Sequence, residues 1–137
     1  MKKIILLIIL FNVSLSYSQI NPLDVEIVRD NFGVPHIYGK TDADVAYGLA
    51  WSHAEDDFKT IQQGYLAGNG LLSKHIGIKG AGADFLTQLI ESKETVDKLF
   101  NTLDPEFIEI IKAYSQGLNK YAETHPEEVL EKKLFPI

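Results

Sequence analysis

The side chains best able to do chemistry in this sequence are four histidines, His36, His53, His75 and His125, set among acids. His53 and Asp57 are spaced one helical turn apart, with Glu55 and Asp56 between them. A helical zinc site needs a second histidine at that spacing, and a zinc deaminase needs cysteines beside its histidine. Neither is present, so His53 reads as a hydrogen-bonded or ion-paired residue beside a helix core. His36, in G-V-P-H-I, reads as a buried hydrogen-bonding residue that fixes a strand rather than as a general base. The run G-I-K-G-A-G at 77–82 follows no strand and lacks the Gly-Lys-Ser/Thr ending of a phosphate loop, which leaves a flexible linker. Asp42 and Asp44 lack the third acid, the central glycine and the closing glutamate of a calcium hand. No serine sits in a G-x-S-x-G elbow. With no cysteine in the chain, thiol catalysis and thiolate metal sites are excluded. Composition and spacing alone therefore give no catalytic residue, no metal ligand and no substrate pocket.

The elements that would have to carry a site are easier to read. Residues 25–38 suggest two short strands: V-E-I-V alternates up to Arg29, D-N-F-G supplies turn chemistry, and V-P-H-I-Y resumes. Pro35 cannot donate to a ladder and should sit at an edge or with its nitrogen facing out. Thr41 with Asp44 three residues on resembles a capping box. From there a helix is predicted to about Ala67, ended by Gly68 and Gly70. Tyr47, Trp51, Ala54, Phe58, Ile61 and Tyr65 recur at steps of four and three, which lays them in one stripe, read as core rather than as a ligand pocket. Glu55 and Lys59 are one turn apart in the favourable order for a helical ion pair.

Phe85, Leu89, Val96 and Leu99 suggest a second helix. Asp104-Pro105-Glu106 opens a third with a capping acid and a proline at the first helical position. Its buried face is predicted as Leu103, Phe107, Ile110, Ile111, Tyr114, Leu118 and Tyr121, and His125-Pro126 should stop it. Two strands alone are marginal in water, so the hairpin needs a helix layer or further strands, expected from sequence beyond residue 137. The apolar ending Leu134-Phe135-Pro136-Ile137 is unusual for a closed domain. Exposed apolar surface is expected there and along the first helix stripe.

Charge and the start of the chain bound the setting. Lys2 and Lys3 precede an apolar run over 4–13 and a small-residue stretch with Ser16 and Ser18, the pattern of a cleaved signal peptide over 1–18. A spanning helix needs roughly 20 apolar residues, about twice what this run holds, so no permanent membrane anchor is expected. A formal net charge of −6 argues against nucleic acid as a partner, because phosphate binding wants a basic face. Hydrophobic residues make up 45% and charged residues 23%, ordinary proportions for a folded chain.

Three stretches carry a family resemblance: V-E-I-V-R-D-N-F-G-V-P-H-I-Y (25–38), A-Y-G-L-A-W-S-H-A-E-D-D-F (46–58) and A-Y-S-Q-G-L-N-K-Y-A (113–122). In this order and spacing the chain resembles the start of the penicillin acylase family of N-terminal-nucleophile hydrolases. The second stretch is closer to the acyl-homoserine lactone and aculeacin acylase branch. The resemblance implies an exported precursor, cut into α and β subunits, that hydrolyses the amide of a small N-acylated substrate. The nucleophile it implies is a serine at the start of the β subunit, with that residue's own amine as base. Backbone and asparagine donors would hold the oxyanion.

The fold implied is α+β, an N-terminal β-hairpin followed mostly by helices, a partial piece of an αββα sandwich. Residues 19–137 would be the N-terminal part of the α subunit, with the β subunit as partner. Arg29, Asp30, Gly33, Pro35, His36, Gly48, Glu55 and Asp56 match family motifs and are expected to be structural, joining the first strands to the long helix. The Ser-Asn-x-Trp context of the nucleophile does not occur here, and the family's calcium glutamate and pocket residues lie further downstream. The resemblance thus implies no cofactor in this segment and calcium only in a full-length member. The segment alone should be inactive. The alternatives are an exported binding protein that keeps the acylase scaffold without catalysis, and an unrelated small secreted helical domain.

Overall fold

The computed structural model describes residues 19–137, so the signal peptide assigned to 1–18 lies outside the described residues. Strands β1 (Glu26–Arg29) and β2 (Pro35–Tyr38) pair antiparallel, with Glu26 opposite Tyr38 and Arg29 opposite Pro35. The connecting turn is built by Asp30. Its carboxylate accepts from the Phe32 and Val34 amides at 2.8 and 3.0 Å, and Gly33 takes a left-handed φ of +82°. Alternation along the strands turns Ile27 and Ile37 toward the helix that follows.

Helix α1 (Asp42–Gly68) opens on the capping box expected from its sequence. The Thr41 hydroxyl accepts from the Asp44 amide, and the Asp44 carboxylate accepts from the Thr41 amide. Gly48 seats the hairpin on it: a Cβ there would come within 2.6 Å of Ile37 and 2.8 Å of Val25. At Asp57 the backbone leaves helical geometry (φ −160°, ψ 70°), and the Asp57 carboxylate accepts from the Thr60 amide to restart the helix. The predicted stripe holds up to this kink, with Tyr47, Ala54 and Phe58 buried and Trp51 partly so. Beyond it the inward line is Phe58, Gln62 and Leu66, while Ile61 is half-buried and Tyr65 is exposed.

Four further helices follow: α2 (Ser73–Ile76), α3 (Ala81–Leu89), α4 (Ser92–Leu99) and α5 (Pro105–Thr124). Residues 77–82 are not a linker. They form a 3-10 turn running into α3, and Gly80 lies so close to α2 that a Cβ would be 2.7 Å from the Ser73 nitrogen. Asp84 reaches back to accept from the Leu72 and Ser73 amides, both at 2.8 Å, satisfying the open start of α2. The single second helix expected from the sequence is split by Glu91, which adopts a left-handed φ of 50°.

Helix α5 starts as predicted, with the Asp104 side chain capping it and Pro105 in its first turn, and it ends at His125. Its core face is Ala113, Gly117, Leu118, Tyr121 and Ala122, packed on Ala50, Ala54 and Phe58 of α1. Small residues bring the two backbones together: a Cβ on Gly117 would be 2.5 Å from the Tyr47 carbonyl oxygen. Leu103 and Phe107, predicted to be buried, are exposed instead.

The chain after α5 folds back over this pair. Gln62, fully buried, donates to the carbonyls of Phe58 and Glu128 and accepts from the Leu130 amide. Asn119 exchanges two hydrogen bonds with the backbone of Ile137, and Phe135 packs against Phe58. Of the exposed apolar surface expected along the first helix stripe and at Leu134-Phe135, Tyr65 is exposed, while Leu134 and Phe135 are partly buried. A larger apolar surface lies on α3, α4 and the turn between them, where Phe85, Leu86, Leu89, Ile90, Val96 and Leu99 are each more than half exposed.

Candidate functional site

Arg29, Gly33, Glu55 and Asp56 of the first two stretches meet at the junction between hairpin and helix, where Gly48 seats the hairpin. Arg29, at the end of β1, donates to the Gly33 carbonyl across the turn at 2.9 Å and to the Ser52 carbonyl of α1 at 3.4 Å. The same guanidinium pairs with Glu55 at 3.1 Å and Asp56 at 2.9 Å. The indole of Trp51 donates to the other oxygen of Glu55 at 2.8 Å. Glu55 is thus turned toward the hairpin, and the predicted helical pair with Lys59 does not form. One arginine ties strand, turn and helix, a task that suits a planar donor fork.

The electrostatics point to holding rather than to proton transfer. Glu55 and then Asp56 raise the Arg29 guanidinium pKa, so it stays charged. The Phe32 and Val34 amides, and then His36, hold the Asp30 carboxyl below its ordinary range. A general base works best with a pKa near the working pH, and Asp30 is moved the other way. His36 is not the buried residue expected. Its side chain is half-exposed, and its Nε2 lies 3.5 Å from Asp30. His53 is the hydrogen-bonded residue expected, with Nδ1 3.0 Å from the Tyr114 hydroxyl on α5. Among the described residues no group of three or more histidines and acids is placed to hold a metal ion.

Three buried polar residues were not read from the sequence: Asp84, which holds the start of α2, Ser52 and Gln62. Ser52 is fully buried, and its hydroxyl has no hydrogen-bond partner, hence no base to activate it as a nucleophile. Gln62 could have been found by continuing the Phe58 line in steps of four to Leu66.

The family described as Penicillin amidase matches residues 24–136, a span that takes in the hairpin, the Arg29 junction and α1 through α5. The chain belongs to the penicillin amidase family. Among its curated relatives, penicillin acylase 2 proenzyme from Pseudomonas sp. (strain SE83) is 27% identical over 97 residues, 71% of this chain and 12% of the relative. Acyl-homoserine lactone acylase PvdQ from Pseudomonas savastanoi pv. phaseolicola is 25% identical over 103 residues, 69% of this chain and 13% of the relative. Penicillin G acylase from Escherichia coli is 25% identical over 113 residues, covering 80% and 13%.

The penicillin amidase match therefore spans about one-eighth of the length of these curated relatives. A solved structure of thermostable penicillin G acylase from Alcaligenes faecalis superposes with a TM-score of 0.68 at 21% identity, covering 80% of this chain and 59% of that one. The α+β arrangement predicted here, a hairpin followed mostly by helices, is thus a piece of the penicillin acylase fold. Family membership also removes the reading of an unrelated helical domain. Within the family's frame, the junction residues are the scaffold that joins the first strands to α1. Among the described residues no helix is long and apolar enough to cross a membrane.

Proposed function

We propose that this chain is the N-terminal scaffold of an exported acylase precursor that hydrolyses the amide of an N-acylated substrate of β-lactam, acyl-homoserine lactone or lipopeptide type. The observation that carries this reading is the Arg29 junction: the residues matching the family motifs are the ones that join hairpin and helix. The nucleophile in this reading is a serine exposed at the start of a β subunit, which forms an acyl-enzyme for water to release. A β subunit cut from the same precursor is then the partner, and residues 19–137 alone are inactive.

Two comparisons support a cut precursor. One relative is named a proenzyme. The matched segment is also 12–13% of the curated relatives but 59% of the solved chain, so that chain is far shorter than the curated ones. Export rests on the pattern at 1–18 and predicts a mature amino terminus at Gln19, which amino-terminal sequencing of the secreted product checks.

The deciding experiment expresses the complete parent reading frame and follows both its mass and its hydrolysis of N-acyl amides. Expected are two chains, the second beginning with serine, with acyl release lost when that serine is changed to alanine. A folded, uncut product that binds acyl amides without releasing acid would instead establish the catalytically inactive scaffold.

A further inference from the structure

Helix α3 is inside out. A surface helix normally turns its apolar stripe to the core and its polar face to water. Here the inward side is small and polar: Asp84 is buried against the Leu72 and Ser73 amides, and the Thr87 hydroxyl donates to the Ala67 carbonyl at 2.9 Å. Phe85, Leu86 and Leu89, with Ile90 just beyond, fall on the opposite side of the helix and are each more than half exposed. Past the left-handed turn at Glu91, Val96 and Leu99 of α4 are equally exposed. The hydrogen bonds of Asp84 and Thr87 fix this orientation, so the apolar side is held outward by design of the inner contacts. Apolar surface gathered in this way marks an interaction site.

We propose that the α3–α4 face is the seat for chain of the same precursor downstream of residue 137. This segment is 12–13% of the curated acylases it matches and 59% of the solved acylase chain, so most of the fold to which it belongs lies outside it. A segment joined to this one docks without the translational and rotational cost that a separate partner pays. A membrane surface suits the face poorly. Helices that lie on lipid are rich in lysine and arginine, whereas residues 81–99 carry four acids against two lysines. The inference rests on the reading of this chain as part of a longer precursor and is independent of whether that precursor is cut or catalytic.

The complete parent, with the photo-crosslinker p-benzoylphenylalanine in place of Phe85 or of Leu89, tests it. Illumination and peptide mass mapping should join these positions to peptides downstream of residue 137 within one copy. A cross-link between two copies of 19–137, seen as a doubled mass, overturns the proposal, as do adducts to lipid alone or none to protein. Leu89→Gln in the same parent keeps helix propensity and gives a second reading. It should lower the folding equilibrium constant about tenfold in urea, the scale of one leucine that loses its cover. An unchanged equilibrium would show a solvated face and overturn the proposal. An uncut or inactive parent that still cross-links as expected would sink the acylase reading and leave the docking intact.

Discussion

The α1–α5 pair and the α3–α4 pair have similar proportions of apolar residues and put them to opposite use. In the first, alanines and Gly117 let two long helices approach until Ala50 and Ala54 are sealed, and a buried glutamine binds the returning chain. In the second, the polar anchor Asp84 and the close approach of Gly80 hold α3 against α2, while Phe85, Leu86, Leu89, Val96 and Leu99 face outward. Apolar content alone therefore does not say where the core is. The size of the residues at the crossing does, because a helix pair can only close where side chains leave room.

One substitution type separates the two regions most sharply. Gly117→Ala places a methyl against the backbone of Tyr47 and should cost about 3 kcal/mol in chemical unfolding. If it costs nothing, the close packing of α1 and α5 is wrong. Gln62→Ala leaves the Glu128 carbonyl and the Leu130 amide without their partner and should cost about 2 kcal/mol. On α3 the sign reverses. Gly82 has open space where a Cβ would go, so Gly82→Ala should stabilise by about 0.5 kcal/mol through helix propensity and the unfolded chain. A loss there would place α3 in a tighter setting than described.

The mildest test is by acid. The Ser73 side chain first, then the Ser73 and Leu72 amides, hold the Asp84 carboxyl below its ordinary 3.8. A lowered carboxylate stabilises the fold above its unfolded value, and that contribution fades as pH falls through the lower folded value. The Leu72 and Ser73 amide resonances should therefore move only below about pH 3.8, while those of the α1–α5 core stay put.

Much of this was legible in the sequence because the signals were local. The Asp30 turn, the Thr41 capping box, the Asp104-Pro105 start and the His125 stop each involve neighbours within a few residues, where residue type dictates geometry. What escaped depended on distant partners. Glu55 ignores Lys59 because the charged Arg29, 26 residues away, donates to one of its oxygens and Trp51 to the other. Gly77 to Gly82 looked free until Asp84 turned back onto α2. The outer half of the stripe was misread because one residue, Asp57, leaves the helix and rotates all that follows. The motif residues were recognised by resemblance, and the convergence of Gly33, Glu55 and Asp56 on Arg29 appears only in three dimensions.

The clasp made by Gln62 also sets a timetable. Its partners at Glu128 and Leu130 are 66 and 68 residues later in the chain. Translation at roughly 5–20 residues per second delivers them about 3–14 s after the glutamine itself. For that interval Phe58 lacks Tyr121 and Phe135, and the last turn of α5 and the segment that follows it close the gap. Helix α1 is made before α5 and is closed only after it.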